Sequence, residues 1–301
     1  MLRLDNLPAE TQRVFSYLAS NTLLKRFTLI GGTALSLQIG HRSSEDLDFW
    51  VPASCMPTND VNGIVSMARD AGLDIQLVTP NEKIINAKIN HGINLLDYAR
   101  DYAINGVKVT FFSRHDPLYR HFDTFPRLHG TDTAFQIMGQ EGIFAMKSHV
   151  IYQRVRSRDI FDLKTFIQNG KSIPDIFAAA LASDCNCTQE YAKSVLTGEI
   201  PLDKDDEGMS GIGITETIEN LYDFFRNAID NHERLIQREA PGLARISLSA
   251  LTDRHAYKRA QSPARPALTP EQQAALRDRL GEQARSVGAR QQPDPDADLE
   301  L

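Results

Sequence analysis

The chain holds 301 residues, 42% of them hydrophobic and 24% charged, enough for one large or two modest cores. It has no apolar run of about eighteen residues and no basic-then-apolar amino terminus, so neither a membrane span nor a signal peptide is expected. Three cysteines make no disulfide framework and point to a reducing cytoplasm, and a formal net charge of −6 argues against a broadly basic, nucleic-acid-coating surface.

Residues 9–24 carry Val14, Phe15, Leu18 and Leu23 in helical register behind Pro8, which predicts a first helix. A strand is predicted over 27–30, followed by the turn Gly31-Gly32-Thr33, a short amphipathic helix, a polar turn and a second strand over 46–51. Further strands are predicted over 74–78, 84–91, 93–98 and 107–112, with a helix over 59–71. Mixed strands and helices of this kind predict an α+β core, a twisted sheet covered by helices, over residues 1–135. From about residue 136 the pattern is helical, with predicted helices around Lys147 and over 174–183, 188–197 and 216–237, which makes 136–258 a helical domain. The acidic, glycine-bearing stretch 203–213 reads as a loop without the spacing of a Ca²⁺-binding loop. Residues 259–301 shift to Gln, Pro, Ala and Arg and read as a flexible tail with a short helix over 270–286. The pair Cys185 and Cys187 has no second Cys/His pair and reads as plain thiols.

The chemistry concentrates in residues 28–50. Side chains two apart on a strand share a face, so Asp46 and Asp48 project together while Leu47 and Phe49 point to the core. Two adjacent carboxylates repel each other unless a cation lies between them, and hard oxygen ligands suit Mg²⁺, with Mn²⁺ as an alternative. Gly31 and Gly32 allow close backbone approach, and the helix start behind them offers free N–H groups to a phosphate. No Gly-Lys-Ser/Thr follows, so the turn is not a Walker A loop. Metal and polyphosphate held a few residues apart are the minimum equipment for nucleotidyl transfer.

The string Gly31-Gly32-Thr33-Ala-Leu-Ser-Leu, then His41-Arg42-x-Ser-x-Asp46-Leu-Asp48-Phe, resembles the AbiEii/AbiGii-type nucleotidyltransferase toxins of the polymerase-beta-type superfamily. Lys147 on an apolar-striped helix, followed by Arg158-Asp159-x-x-Asp162-Leu, resembles the same family. The resemblance implies a polymerase-beta-like core followed by a helical domain that completes the site. It implies Asp46 and Asp48 as metal ligands, with Gly31, Gly32, Thr33, Arg42 and Lys147 on the nucleotide's phosphates. Asp162 would complete the site, with Arg158 and Asp159 in support. It further implies an NTP substrate, an RNA acceptor such as the 3′ end of tRNA, growth arrest as the outcome, and a neighbouring-gene antitoxin that need not bind the toxin. A basic cluster of Lys147, Arg154, Arg156, Arg158, Lys164 and Lys171 would suit a triphosphate or an RNA end.

The chain departs from the superfamily in one respect. Where a third carboxylate is expected on a neighbouring strand, the sequence offers Thr110; Asp74 and Asp97 lie near other apolar runs, and Asp162 is the preferred third acid. The number of metals stays open. Two other readings remain: a nucleotidyltransferase acting on a small molecule such as an antibiotic, and a catalytically idle nucleotide-binding module.

Overall fold

In the computed structural model, residues 2–129 and 132–239 are described. The predicted tail and its helix lie outside them. Residues 1–236 form a single unit in which a sheet and a set of helices share one core.

The chain enters through α1 (Ala9–Ala19), whose Val14, Phe15 and Leu18 are buried as their spacing predicts. Then follow β1 (Thr28–Ile30), α2 (Gly31–Ile39), β2 (Leu47–Val51), α3 (Thr58–Asp70), β3 (Ile75–Leu77) and α4 (Asn81–His91). Next come β4 (Ala99–Ile104), β5 (Val107–Ser113), α5 (Pro117–Asp123), β6 (Arg127–His129) and β7 (Gln136–Met138). The helices α6 (Gln140–Val150), α7 (Ser157–Gln168), α8 (Ile173–Ser183), α9 (Gln189–Leu196) and α10 (Ile218–Glu239) complete the described chain.

The seven strands form one mixed sheet in the order β3-β4-β5-β2-β1-β7-β6. Within it β2 runs parallel to β5 and antiparallel to β1, and β1 runs parallel to β7. Alternation along β2 and β5 separates the two faces. Phe49 and Phe111 stack at 5.5 Å, and Phe135 meets Phe49 edge-on at 4.9 Å and Phe15 of α1 at 5.5 Å, so this face is sealed by aromatics. The opposite face presents Asp48 and Thr110 as direct neighbours, then Trp50 and Phe112 one step further, both packed on Tyr119 of α5. The chemistry-bearing residues therefore lie on the face turned away from α1.

Two sequence expectations are corrected. Residues 84–91 form a helix rather than a strand: Pro80 precedes it, Gly92 ends it at φ +65°, and none of its residues is buried. Its β-branched Ile84, Ile85 and Ile89 mimic strand composition without any core to alternate against. Residues 93–98 hold only a single 3-10 turn at Leu95–Asp97, and the strand begins just after it, as β4. The turn Asn105-Gly106, with φ of 47° and 80°, joins β4 to β5 in a tight hairpin.

Candidate active site

The β1–α2 junction brings backbone against carboxylate. Ile30 pairs with Asp48 across the two antiparallel strands, and Gly31 follows at φ +78° as the first residue of α2. A Cβ on Gly31 would lie 2.9 Å from Asp48 Oδ2, so glycine is required both by dihedral and by space. No side chain caps the N-terminus of α2, so its first-turn N–H groups and the positive end of its dipole are free to face an anion.

Asp46 immediately precedes β2 and Asp48 lies within it. Neither carboxylate has an ion-pair partner among the described residues. Burial first, with the charge of Asp46 acting on Asp48 and those of Glu207 and Glu45 acting on Asp46, pushes both carboxyls above their ordinary value, while Lys108 pulls them back. As two hard oxygen donors side by side, Asp46 and Asp48 could hold a divalent cation.

The second constellation is a buried ionic cluster. Asp162 is fully buried; its Oδ1 accepts from Arg42 Nε and His41 Nε2, both at 2.7 Å, and its Oδ2 accepts from Arg42 Nη2 at 3.0 Å and pairs with Lys147 Nζ at 2.7 Å. Asp159 accepts from Lys147 at 2.5 Å and from Arg154 Nε at 2.9 Å. Burial would raise both acids, but Lys147, with Arg42 beside Asp162 and Arg154 beside Asp159, holds them below their ordinary value, Asp162 well below. Lys147 is the mirror case, since burial opposes its charge and Asp159 and Asp162 raise it regardless.

This arrangement corrects the role expected of Asp162. A carboxylate offers about four acceptor positions, and all four are taken by donors, which leaves none for a metal. Asp162 is a positioning residue that fixes Arg42 and Lys147. Arg42 is likewise turned inward. Its guanidinium is clamped on Asp162 and lies against Gly32, where an added Cβ would collide with it, and Nη1 donates to the Ser43 carbonyl at 3.0 Å. The Thr33 hydroxyl, expected on a phosphate, donates to the Asp46 carbonyl and accepts from Ser44 at 2.8 Å. It ties the glycine turn to the acidic strand instead.

Two cavities meet over Asp48, Lys147, Arg154 and Asp159. One, polar, also takes in Gly32, Thr33, Arg42, Asp46, Lys108 and Arg158. The other, of about 260 Å³, is walled by Ile30, Phe112, Tyr119, Phe122, Met146 and Val150, and Gly31 lies on its rim. A charged chamber adjoining an aromatic one could take a triphosphate joined to a base. Lys147 lines both, and with two N–H groups committed to Asp159 and Asp162 it retains a third for a phosphate oxygen.

The structure also brings in residues that the sequence did not single out. Lys108 reaches the polar chamber from β5, and the acidic segment after α9 closes its side: Asp206 holds the Ser157 backbone N–H at 3.0 Å, and Glu207 pairs with Arg158 at 2.7 Å. Arg158, expected as support, donates to the Gly208 carbonyl as well. Only the pairing of β2 with β5 reveals Lys108, and no local motif marks it.

No curated protein matches the chain. Solved structures similar to it include a candidate nucleotidyltransferase from H. pylori (17% identity, 75% of this chain and 96% of that one, TM-score 0.43). JHP933 from Helicobacter pylori is 14% identical over 81% of this chain and 98% of that one, at TM-score 0.41. MenT4, a nucleotidyltransferase toxin from Mycobacterium tuberculosis, is 14% identical over 75% and 88%, at TM-score 0.42. The family described as "Nucleotidyl transferase AbiEii toxin, Type IV TA system" matches residues 13–276, nearly the whole chain, and the protein belongs to that family of nucleotidyltransferase toxins.

Proposed function

We propose that the protein transfers a nucleoside monophosphate from an NTP to an acceptor hydroxyl with Mg²⁺, and that the acceptor is the 3′ end of an RNA, tRNA in the first instance. One observation carries this reading. Asp46 and Asp48 are partly enclosed carboxylates without a cation partner, next to an uncapped helix N-terminus and a lysine with a spare donor. A divalent ion on Asp46 and Asp48 would neutralise charge on the leaving pyrophosphate and lower the pKa of the attacking hydroxyl. The first-turn N–H groups at Gly31–Gly32 would hold phosphate oxygens, Lys147 would add a fixed positive charge, and the aromatic chamber would take the base. Asp159 and Asp162 keep the Lys147 amine charged and aimed.

The RNA acceptor, the cytoplasmic setting and the neighbouring gene for the antitoxin are part of this proposal, and the toxin–antitoxin family supports a cognate antitoxin. The mixed basic and acidic rim around Arg154, Arg156 and Arg158 offers an RNA end a defined but limited footing. An idle module would have no reason to keep two unpaired acids in a cleft. Incubation of the purified protein with each α-labelled NTP, Mg²⁺ and total tRNA is expected to label tRNA with one preferred nucleotide. Labelling of a small-molecule fraction instead would move the acceptor to an antibiotic-like compound, and no labelling of any acceptor would refute transfer.

A further inference from the structure

Asp46 and Asp48 need a third charged group to define how many metal ions they hold, and the fold supplies it from an unexpected side. Strand β5 runs parallel to β2 with Val109 beside Leu47 and Thr110 beside Asp48. Continuing that register by one residue sets Lys108 level with Asp46, on the same face as Thr110 and about one inter-strand spacing, ~4.8 Å, away at the backbone. Lys108 lines the polar chamber together with Asp46 and Asp48 and has no carboxylate partner among the described residues.

Three acids that might complete a second metal position are engaged elsewhere. Asp162 has all of its acceptor positions filled, and Asp159 is held by Lys147 and Arg154. Asp101 shares the row of Asp48 and Thr110, but it stands two strands away, roughly 10 Å, and accepts the Thr110 hydroxyl at 2.8 Å. Among the described residues no group of three His, Cys, Asp or Glu side chains is arranged to hold a metal. Of the remaining acids lining the chamber, Asp206 accepts from Ser157 and Glu207 pairs with Arg158, so Glu45, which precedes Asp46, is the one without an ion-pair partner among the described residues. A two-metal centre places its ions about 3.5–4 Å apart, and a second ion here would have the Lys108 ammonium as its neighbour.

We propose that Lys108 occupies the place of the third carboxylate, so that the site holds one divalent ion, with the Lys108 ammonium acting on the triphosphate where a second ion would otherwise lie. An ammonium is a compact point charge with three rotatable donors, suited to non-bridging phosphate oxygens. The inference rests on the nucleotidyltransferase reading above and specifies how its substrate is held.

Titration of the full-length protein with Mn²⁺ in the presence of an α,β-methylene NTP analogue, read by electron paramagnetic resonance, counts the ions directly. One Mn²⁺ per chain is expected for the wild type and two for Lys108→Asp. Two in the wild type would overturn the proposal, as would a single ion in Lys108→Asp that binds the analogue and folds normally. No Mn²⁺ in the wild type would remove the nucleotidyltransferase reading itself and the proposal with it. Lys108 is exposed, so Lys108→Met is expected to fold normally, keep one Mn²⁺ and weaken analogue binding by about ten- to a hundredfold, the range for losing one charge-assisted bond. Unchanged analogue affinity in Lys108→Met would sink the role of the ammonium.

Discussion

Four aspartates in this chain look alike in sequence and behave as two opposite pairs. Asp159 and Asp162 are saturated with Lys147, Arg154, Arg42 and His41, and their charged forms are stabilised. Asp46 and Asp48 have no such partners, and burial, with Asp46 acting on Asp48 and Glu207 and Glu45 acting on Asp46, makes their charged forms costly. On the proposed function the first pair belongs to the scaffold of the site and the second to its chemistry. For Asp48 the sign of the linkage is clear. A carboxyl raised above its ordinary 3.8 means that the folded state binds the proton more tightly, so stability falls as pH rises through that window and stays reduced at neutral pH. Asp48→Asn should therefore leave the Tm of the metal-free protein unchanged or higher at pH 7, while nucleotide transfer falls by several orders of magnitude. Thermal melts beside a labelled-NTP assay check this, and either a clear drop in Tm or retained transfer would contradict the assignment.

At the scale of elements, the β1–α2–β2 unit was the most legible part of the chain. Strand, glycine turn, helix and acidic strand are local, and each is marked by composition within a few residues. The ionic cluster was half legible. Lys147 and Asp159 are twelve residues apart and flank one turn, whereas Arg42 and Asp162 are separated by 120 residues, and nothing in either motif announces that they pair. Residues 84–91 misled because isoleucines on an exposed helix carry strand propensity without strand burial. Lys108 escaped notice because its role depends on strand pairing. The glycine turn itself allows a sharp test. Gly31→Ala would place a methyl group 2.9 Å from Asp48 Oδ2 at a φ of +78°. It should cost about 1–3 kcal/mol of stability, read from the urea midpoint. Mn²⁺ binding should weaken together with it, because the carboxylate must move. Gly72, equally left-handed at φ +80° but with open space around it, makes the control: alanine there should cost stability and leave metal binding intact.

At the scale of the molecule, the buried cluster joins the two halves of the described unit. His41 and Arg42 come from the segment between α2 and β2, Lys147 from α6, and Asp159 and Asp162 from α7, so the ionic contacts pin the helices to the sheet directly beneath the active-site chambers. Such a cluster makes stability pH-dependent with a defined shape. The lowered carboxyls of Asp159 and Asp162 contribute stability that is fully present above their ordinary 3.8 and is lost as pH falls through their folded values. Lys147, raised above 10.5, contributes stability that is present below 10.5 and is lost as pH rises beyond it. Asp162→Asn removes the charge with little change of shape and leaves Arg42 and Lys147 buried beside a neutral amide. It should cost about 3–5 kcal/mol at pH 7, the usual range for breaking a buried ion pair from one side. The same substitution removes the acid-sensitive contribution of Asp162. In urea denaturation followed from pH 7 down to pH 2, the wild-type and variant stabilities should therefore converge as the wild-type Asp162 takes up its proton. A gap that stayed constant across the whole range would show that the loss comes from packing, and that the cluster does not hold the helices to the sheet by charge.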